Sequence, residues 1–239
     1  LRAKRSDPQT FFSFYTESRQ DPLYFEKQAR LKGHRKIAGV DEAGRGPLAG
    51  PLVVAACILP QDLLIDGVDD SKKLSPAQRR HFYNQITSHP KIVYSIEVIE
   101  HSVIDEINIL QATFLGMRQA IEHLSVRPDY ILVDGSMTPF SPEHSLAIVQ
   151  GDSLSHSIAC ASILAKVTRD SIMEGHDLKW PGYGFAQNKG YPTPEHLKIL
   201  RSLGPSPIHR VSYAPVREVL ETLQEANSQS SLAGKWDFF

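Results

Sequence analysis

Cysteine is scarce in this chain of 239 residues: there are two, Cys57 and Cys160, each set among small apolar neighbours. That scarcity excludes a disulfide-stapled secreted scaffold and a cysteine-rich zinc module, and it predicts buried, reduced thiols. Long hydrophobic runs are missing as well. The longest, "PLVVAACILP" at residues 51–60, is about half of the roughly 20 residues that a membrane helix requires. The opening "LRAKRSDPQT" lacks the apolar segment of a signal peptide, so a soluble, cytoplasmic protein without membrane contact is expected. An excess of one charge is also absent. With a formal net charge of -1, global attraction to nucleic acid is excluded as a mechanism, and any such binding must come from local basic groups. What is present, 41% hydrophobic and 22% charged residues, is the composition of a folded globular domain rather than a disordered chain.

The apolar spacing sets out the elements. Residues 8–32 carry Phe11, Phe12, Phe14, Tyr15, Leu23, Tyr24, Phe25 and Leu31 at helical intervals, with a break at Asp21-Pro22. Over residues 1–36 nine Lys or Arg stand against four Asp or Glu, which reads as a solvated basic face with some attraction for phosphate. "KIAGVDE" and "PLVVAACIL" are two neighbouring strands joined by a glycine loop. Ser75-Pro76 opens a helix through residue 89, "IVYSIEVI" is a third strand, and residues 102–123 form a long amphipathic helix. "DYILVDG" and "LAIVQGD" supply two more strands. A helix over residues 155–174, rich in Ala159, Cys160, Ala161, Ser162 and Ala165, is small enough on one side to lie close to a sheet. Helices at 193–203 and 214–225 follow. The expected organisation is a basic helical extension over residues 1–35, an α/β domain with a mixed sheet over 36–225, and a loose tail over 226–239.

Three of these strands end in acid: Asp41 with Glu42, Asp134 in "ILVDG", and Asp152 in "VQGD". A single acid at a strand end is ordinary exit-loop chemistry. Were the three strands neighbours, four carboxylates would converge, and their repulsion would call for hard cations. Carboxylates without histidine or cysteine suit Mg²⁺ or Mn²⁺ over zinc, and a pair of such ions suits hydrolysis of a phosphodiester by water. No Ser-His-Asp or Cys-His set competes with that reading. "GRGPLA" at residues 44–49 formally fits a dinucleotide-binding turn, but that turn must open a helix, whereas a second strand follows here. The glycines instead allow close backbone approach to a ligand, and Arg45 offers a planar fork for phosphate.

The blocks "GVDEAGRGPLAGPLVVAA", "DDSKKL", "YILVDG", "GDSLSHSIACASILAKVTRD", "NKGYPTPEHL" and "GPSPIHRVSY" together resemble ribonuclease HII, the type 2 ribonucleases H, over roughly residues 36–215. The resemblance implies an RNase H-like mixed five-stranded sheet flanked by helices, with a small helical C-terminal portion. It implies an endonuclease that cuts 5′ to ribonucleotides in RNA–DNA hybrids or embedded in duplex DNA, using two Mg²⁺ or Mn²⁺ ions and leaving 3′-hydroxyl and 5′-phosphate ends. By that match Asp41, Glu42, Asp134 and Asp152 are the metal-coordinating carboxylates. Gly44, Arg45 and Gly46 form the loop that reads the 2′-hydroxyl, and Tyr191 is the tyrosine that stacks on the neighbouring sugar.

Other matched residues keep two roles open. Lys72 and Lys73 are phosphate contacts or a solvated pair. Lys166 and Arg169 share a helical face that grips the DNA backbone, or Lys166 pairs with Asp170. His209 and Arg210 touch substrate or anchor their loop. Gln150 stands where many relatives have lysine, and Cys160 where alanine is usual. Arg45 and the short stretch before the first strand favour type HII over the sister type HIII. The aromatic tail "KWDFF" resembles the C-terminal sliding-clamp peptide of some relatives but departs from its usual spacing, because Gln229 is too far from Phe238 and Phe239. A monomer is expected, and the rival to an enzyme is a module that binds hybrid or junction duplexes without cutting them.

Overall fold

The computed structural model describes residues 21–61 and 63–233. The N-terminal part of the helix expected over residues 8–32 falls outside them. What is described begins where the sequence breaks: the Asp21 carboxylate accepts from Leu23 N at 3.0 Å, and helix α1 follows at Tyr24–Leu31.

Two apolar runs then form β1, Ile37–Ala43, and β2, Leu52–Ile58, paired antiparallel with Asp41 opposite Ala55. Helix α2, Pro76–Ser88, starts with the expected Ser75 cap, completed by Gln78 as a capping box. β3 is Val93–Ile99 and helix α3 is His101–Glu122. β4, Tyr130–Asp134, pairs parallel with β1, and β5, Ser145–Ile148, pairs parallel with β4. The result is a mixed five-stranded sheet in the order β3-β2-β1-β4-β5. Helices α4 (His156–Lys179), α5 (Phe185–Asn188), α6 (Pro194–Leu203) and α7 (Ala214–Ala233) complete the described chain.

Three helices differ from their sequence reading, α4 by running on to Lys179 instead of ending at residue 174. α3 is broken at Asn108, which takes φ 66°, ψ 164°. Its side-chain oxygen accepts from Leu110 N and Gln111 N at 3.0 and 3.1 Å, so asparagine caps a new helical start inside a continuous apolar pattern. α7 continues past residue 225 to Ala233, since "ANSQSSLA" contains no glycine or proline to stop it.

By contacts the chain divides into two units. The first holds the described residues up to Ala43, then Val53–Val98 and Thr113–Val167. Its core joins Ile37, Tyr130, Leu132 and Ile148 of the sheet to Ala29, Leu154 and Ile158. The small-residue face of α4 does lie against the sheet: a Cβ on Gly39 of β1 would sit 2.2 Å from Ser157 C and 2.3 Å from Ile158 N. Only glycine permits that approach. Cys57 and Cys160 are free and buried in this packing, and the Cys160 thiol is pushed well above its ordinary value, first by its hydrogen bond with Cys57 and then by burial.

Glu26 of α1, 2% exposed, holds the start of α4. Its Oε1 accepts from Ser155 Oγ at 2.7 Å, Ser157 N at 2.9 Å and Ser157 Oγ at 2.7 Å. Glu26→Ala strands these buried donors and is expected to cost about 1–3 kcal/mol, read as a lower denaturation midpoint at unchanged m-value.

The second unit comprises Gly44–Leu52, Ile99–Ala112 and the chain from Thr168 onward. Its two apolar clusters centre on Ala49, Met173, Phe185 and Ile208, and on Leu48, Leu200 and Val216.

Candidate active site

Because β1, β4 and β5 are adjacent and parallel where they pair, their C-terminal ends lie together, the position where α/β sheets bind ligands. In the first unit, Asp41, Asp134 and Asp152 each offer a carboxylate oxygen, and these oxygens lie within 4.8 Å of one another. Glu42 follows Asp41 directly on β1 and is partly buried there. Of the four acids expected to converge, three form this close set, and Glu42 is near enough for its charge to act on Asp41.

Each acid is placed by its own local structure. The chain turns after β5 through Gln150 in a left-handed conformation, φ 58°. The 3-10 turn Gly151–Ser153 then directs Gly151 N and Asp152 N onto Asp134 Oδ1, at 2.7 and 3.4 Å. Asp41, 4% exposed, accepts from Glu42 N at 2.7 Å and from the Ser162 hydroxyl. Ser162 in turn meets Ser71 Oγ at 2.9 Å. Sequence reasoning missed Ser162 and Ser71, since small hydroxyl residues in "CASILA" and "DDSKKL" read as packing and loop.

The electrostatics call for a cation. Burial, then the charges of Glu42 and Asp134, hold Asp41 well above the ordinary carboxylate range. Burial and the Asp152 charge raise Asp134, against the opposing backbone N–H groups and Lys72. Negative charge therefore exceeds what the neighbours neutralise, and oxygen-only donors fit a hard divalent ion such as Mg²⁺ or Mn²⁺.

Lys72 answers part of this demand. Its Nζ lies 3.0 Å from Asp152 Oδ2. Burial lowers the lysine, but the hydrogen bond and charge of Asp152 outweigh it and leave Lys72 above its ordinary value. Lys73 is instead a surface partner of Asp69 at 3.0 Å. Lys72→Met removes the ammonium that a metal must displace from Asp152. We expect its affinity for Mn²⁺, measured by calorimetry, to rise about two- to fivefold, the worth of one exposed ion pair. A cavity of about 1000 Å³ adjoins the cluster, lined among others by Asp134, Asp152, Lys72, Lys73 and His156. Lys166 is half-buried on α4.

In the second unit the loop Gly44-Arg45-Gly46 is held from behind by two arginines. Arg210 donates to Gly44 O at 2.7 Å, Arg45 O at 3.2 Å and Gly50 O at 2.9 and 3.0 Å. Arg169 donates to Pro51 O at 2.9 Å, Ala49 O at 3.2 Å and Lys189 O at 2.9 Å. Their exposures are 0% and 1%. Arg169 therefore does not present a face to DNA: its donors are spent on loop carbonyls. Of the two roles open to Arg210 and His209, anchoring is the one the structure shows, with His209 bonded to Ser206 and His196. Burial and the charge of Arg210 bring Arg169 down to about 10.

Gly44 has φ +107°, and a Cβ there would meet Arg169 Nε at 2.1 Å, so this position admits only glycine. With the carbonyls turned inward, Arg45 and Gly46 remain exposed. The half-exposed Tyr191 ring lies beside them, its Cε1 3.6 Å from where a Gly46 Cβ would be.

A mixed sheet whose parallel strands deliver clustered carboxylates fits a nuclease of the ribonuclease H type. Comparison with known proteins agrees and narrows the class. The Ribonuclease HII family profile matches residues 38–216, and the chain belongs to the ribonuclease HII family. A ribonuclease HII of Geobacter sulfurreducens is 53% identical over 196 residues, 82% of this chain and 90% of that one. Among solved structures, the ribonuclease H2 of Pyrococcus horikoshii OT3 superposes with a TM-score of 0.67 at 28% identity, covering 79% of this chain and 99% of that one. The ribonuclease HII of Archaeoglobus fulgidus, solved in complex with PCNA, gives 0.59 at 25% identity, covering 77% and 96%. The protein is a ribonuclease H, an enzyme acting on RNA paired with DNA. The tail aromatics Phe238 and Phe239 considered for a clamp contact lie outside the described residues. Among the described residues no helix is long and apolar enough to cross a membrane.

Proposed function

We propose that the enzyme hydrolyses the phosphodiester 5′ to a ribonucleotide, in an RNA–DNA hybrid or embedded in duplex DNA, leaving 3′-hydroxyl and 5′-phosphate ends. The observation that carries this reading is the set of Asp41, Asp134 and Asp152 oxygens within 4.8 Å. With Glu42 these acids would hold two Mg²⁺ or Mn²⁺ ions. Such ions supply Lewis acidity for attack by water, so no side chain need be the nucleophile.

The remaining work belongs to the chain's own groups. Gly44, Arg45 and Gly46 meet the 2′-hydroxyl through backbone groups, which separates ribose from deoxyribose. Tyr191 stacks on the adjacent sugar, and Arg45, Lys72 and Lys166 contact phosphates. Arg169, His209 and Arg210 contribute by holding the loops. We also propose a monomer, in the cytoplasm; the two free buried thiols support the second part.

The test is cleavage of a labelled DNA duplex carrying one ribonucleotide, with Mg²⁺, with Mn²⁺ and with chelator. A metal-dependent cut 5′ to the ribose is expected. Tight binding without products would leave the non-cutting binding module instead. Cleavage confined to all-RNA tracts would keep the metal chemistry and remove the role given to the glycine loop.

A further inference from the structure

We propose that His196 and His209 form a buried hydrogen-bond relay that fixes Tyr191, and that His196 is a positioning residue for cleavage at the ribonucleotide junction. The inference rests on the reading of Tyr191 as the residue that stacks on the sugar.

The backbone leading into Tyr191 is strained, although Tyr191 N donates to Asn188 O at 2.9 Å and Gly190 N to Asn188 Oδ1 at 2.7 Å. Lys189 and Gly190 are consecutive left-handed residues, φ 51° and 82°, an arrangement costly for lysine. Tyr191 O accepts from Thr193 N at 2.8 Å, and His196 Nδ1 lies 2.9 Å from the same oxygen. Behind His196, its Nε2 is 3.1 Å from His209 Nε2, and His209 Nδ1 is 2.9 Å from Ser206 N.

Only one proton arrangement satisfies this series. Ser206 N–H must donate, so His209 Nδ1 accepts and carries no proton. The His209 proton then lies on Nε2 and is donated to His196 Nε2. His196 is left with its proton on Nδ1, which it donates to Tyr191 O. Both rings must be neutral for this, and both are held below their ordinary value, first by burial, with His209 at about 4. His196 is 0% exposed and His209 2%. Phe185 lies 5.6 and 5.7 Å from the two rings and Tyr183 lies 5.3 Å from His209, so aromatic walls keep water from competing.

The relay also ties Tyr191 to the glycine loop. Ala49 bridges with His209, Gly50 N donates to Ile208 O at 2.9 Å, and Leu48 N donates to Gly190 O at 2.7 Å. The stacking residue and the loop that flanks it are therefore stitched to one scaffold, at whose centre are two imidazoles that no reaction step uses.

Two amides dissect the relay. His196→Asn places an N–H where Nδ1 was and keeps the bond to Tyr191 O. His196→Gln places its amide oxygen where Nε2 was, accepting from His209 Nε2 while releasing Tyr191. On the single-ribonucleotide duplex, we expect Asn to hold kcat within about threefold of the wild type and Gln to lose roughly tenfold in kcat, with KM changed less than about twofold. Tyr191→Ala, measured alongside, separates the two ideas. Wild-type kcat in Tyr191→Ala would remove the stacking reading itself. Loss there, but none in a folded His196→Gln protein, would overturn the relay alone. Equal losses in Asn and Gln that follow their melting temperatures would also overturn it, since packing would then suffice. Should both variants fold poorly, imidazole ¹⁵N spectra of the unaltered enzyme decide: the relay requires the proton on Nδ1 of His196 and on Nε2 of His209, and any other tautomer pair refutes it.

Discussion

Asp134→Asn is expected to lower cleavage at saturating Mg²⁺ by about 10³-fold or more, about 4 kcal/mol of transition-state stabilisation, while leaving the fold intact. Asparagine keeps an acceptor where Gly151 N and Asp152 N now donate to Oδ1, so the turn after β5 has no reason to move. What is lost is a charge that a cation needs. The same charge raises Asp41, so its removal brings the Asp41 carboxyl back toward the ordinary range.

This gives the variant a second signature in stability. For Asp41 and Asp134 the folded-state values lie above the ordinary 3.8, so between 3.8 and the folded value the native chain binds more protons than the unfolded one. Their contribution to stability is therefore present at low pH and is lost as pH rises through that window. Buried His156 and His209, held at about 4 by burial, act in the opposite sense, gaining stability as pH rises toward the ordinary histidine value. They are common to both proteins and cancel in the difference. With chelator present, Asp134→Asn should thus melt at or above the wild type at neutral pH, the gap closing on acidification. Added Mn²⁺ should raise the melting temperature of the wild type far more than that of the variant, since a ligand at 100 times its Kd adds about 2.7 kcal/mol. Full activity in Asp134→Asn at saturating metal would remove the acid cluster from the mechanism.

Arg210→Met is expected to be the most damaging change outside the carboxylates. It strands the carbonyls of Gly44 and Gly50 and leaves Arg45 O with the Tyr213 hydroxyl. At about 1–3 kcal/mol for each buried polar group left unsatisfied, a stability loss of about 3 kcal/mol follows. The freed loop should lower kcat/KM on the single-ribonucleotide duplex about 100-fold, with the affinity for Mn²⁺ unchanged. Arg210→Lys should recover little, because a single ammonium does not reproduce a planar fork spanning three carbonyls. Denaturation, steady-state kinetics and metal calorimetry on the two variants check the three parts separately. An Arg210→Met protein that cuts with wild-type efficiency would show that the loop keeps its conformation unaided.

The contrast between these variants marks what could be read from sequence. Strand ends in acid are visible as "VDE", "LVDG" and "VQGD", because alternating or continuous apolar runs locate the ends of β1, β4 and β5 and the chemistry sits one step beyond. The Ser75-Pro76 helix start was equally plain, since capping is a local interaction. By contrast, nothing in "TRDS" or "IHRVS" distinguishes an arginine that faces phosphate from one buried under a loop. That difference depends on which carbonyls the fold turns toward it, and those of Arg169 come from residues 49, 51 and 189. The break at Asn108 escaped because the apolar spacing runs through it, while the residue changes only its own dihedrals.

The wide spacing of the three clustered aspartates along the chain has a consequence for synthesis. Asp41 and Asp134 are brought together by the parallel pairing of β1 with β4, and Asp152 joins them only through the turn beyond β5. A nascent chain therefore exposes its first acids on the ribosome well before the last has been translated, and long-range parallel pairing is slow to form. Unlike a nuclease built on one contiguous motif, this one cannot assemble the three-aspartate cluster until the sheet has closed, so the capacity to cut nucleic acid is gained only with the completed fold.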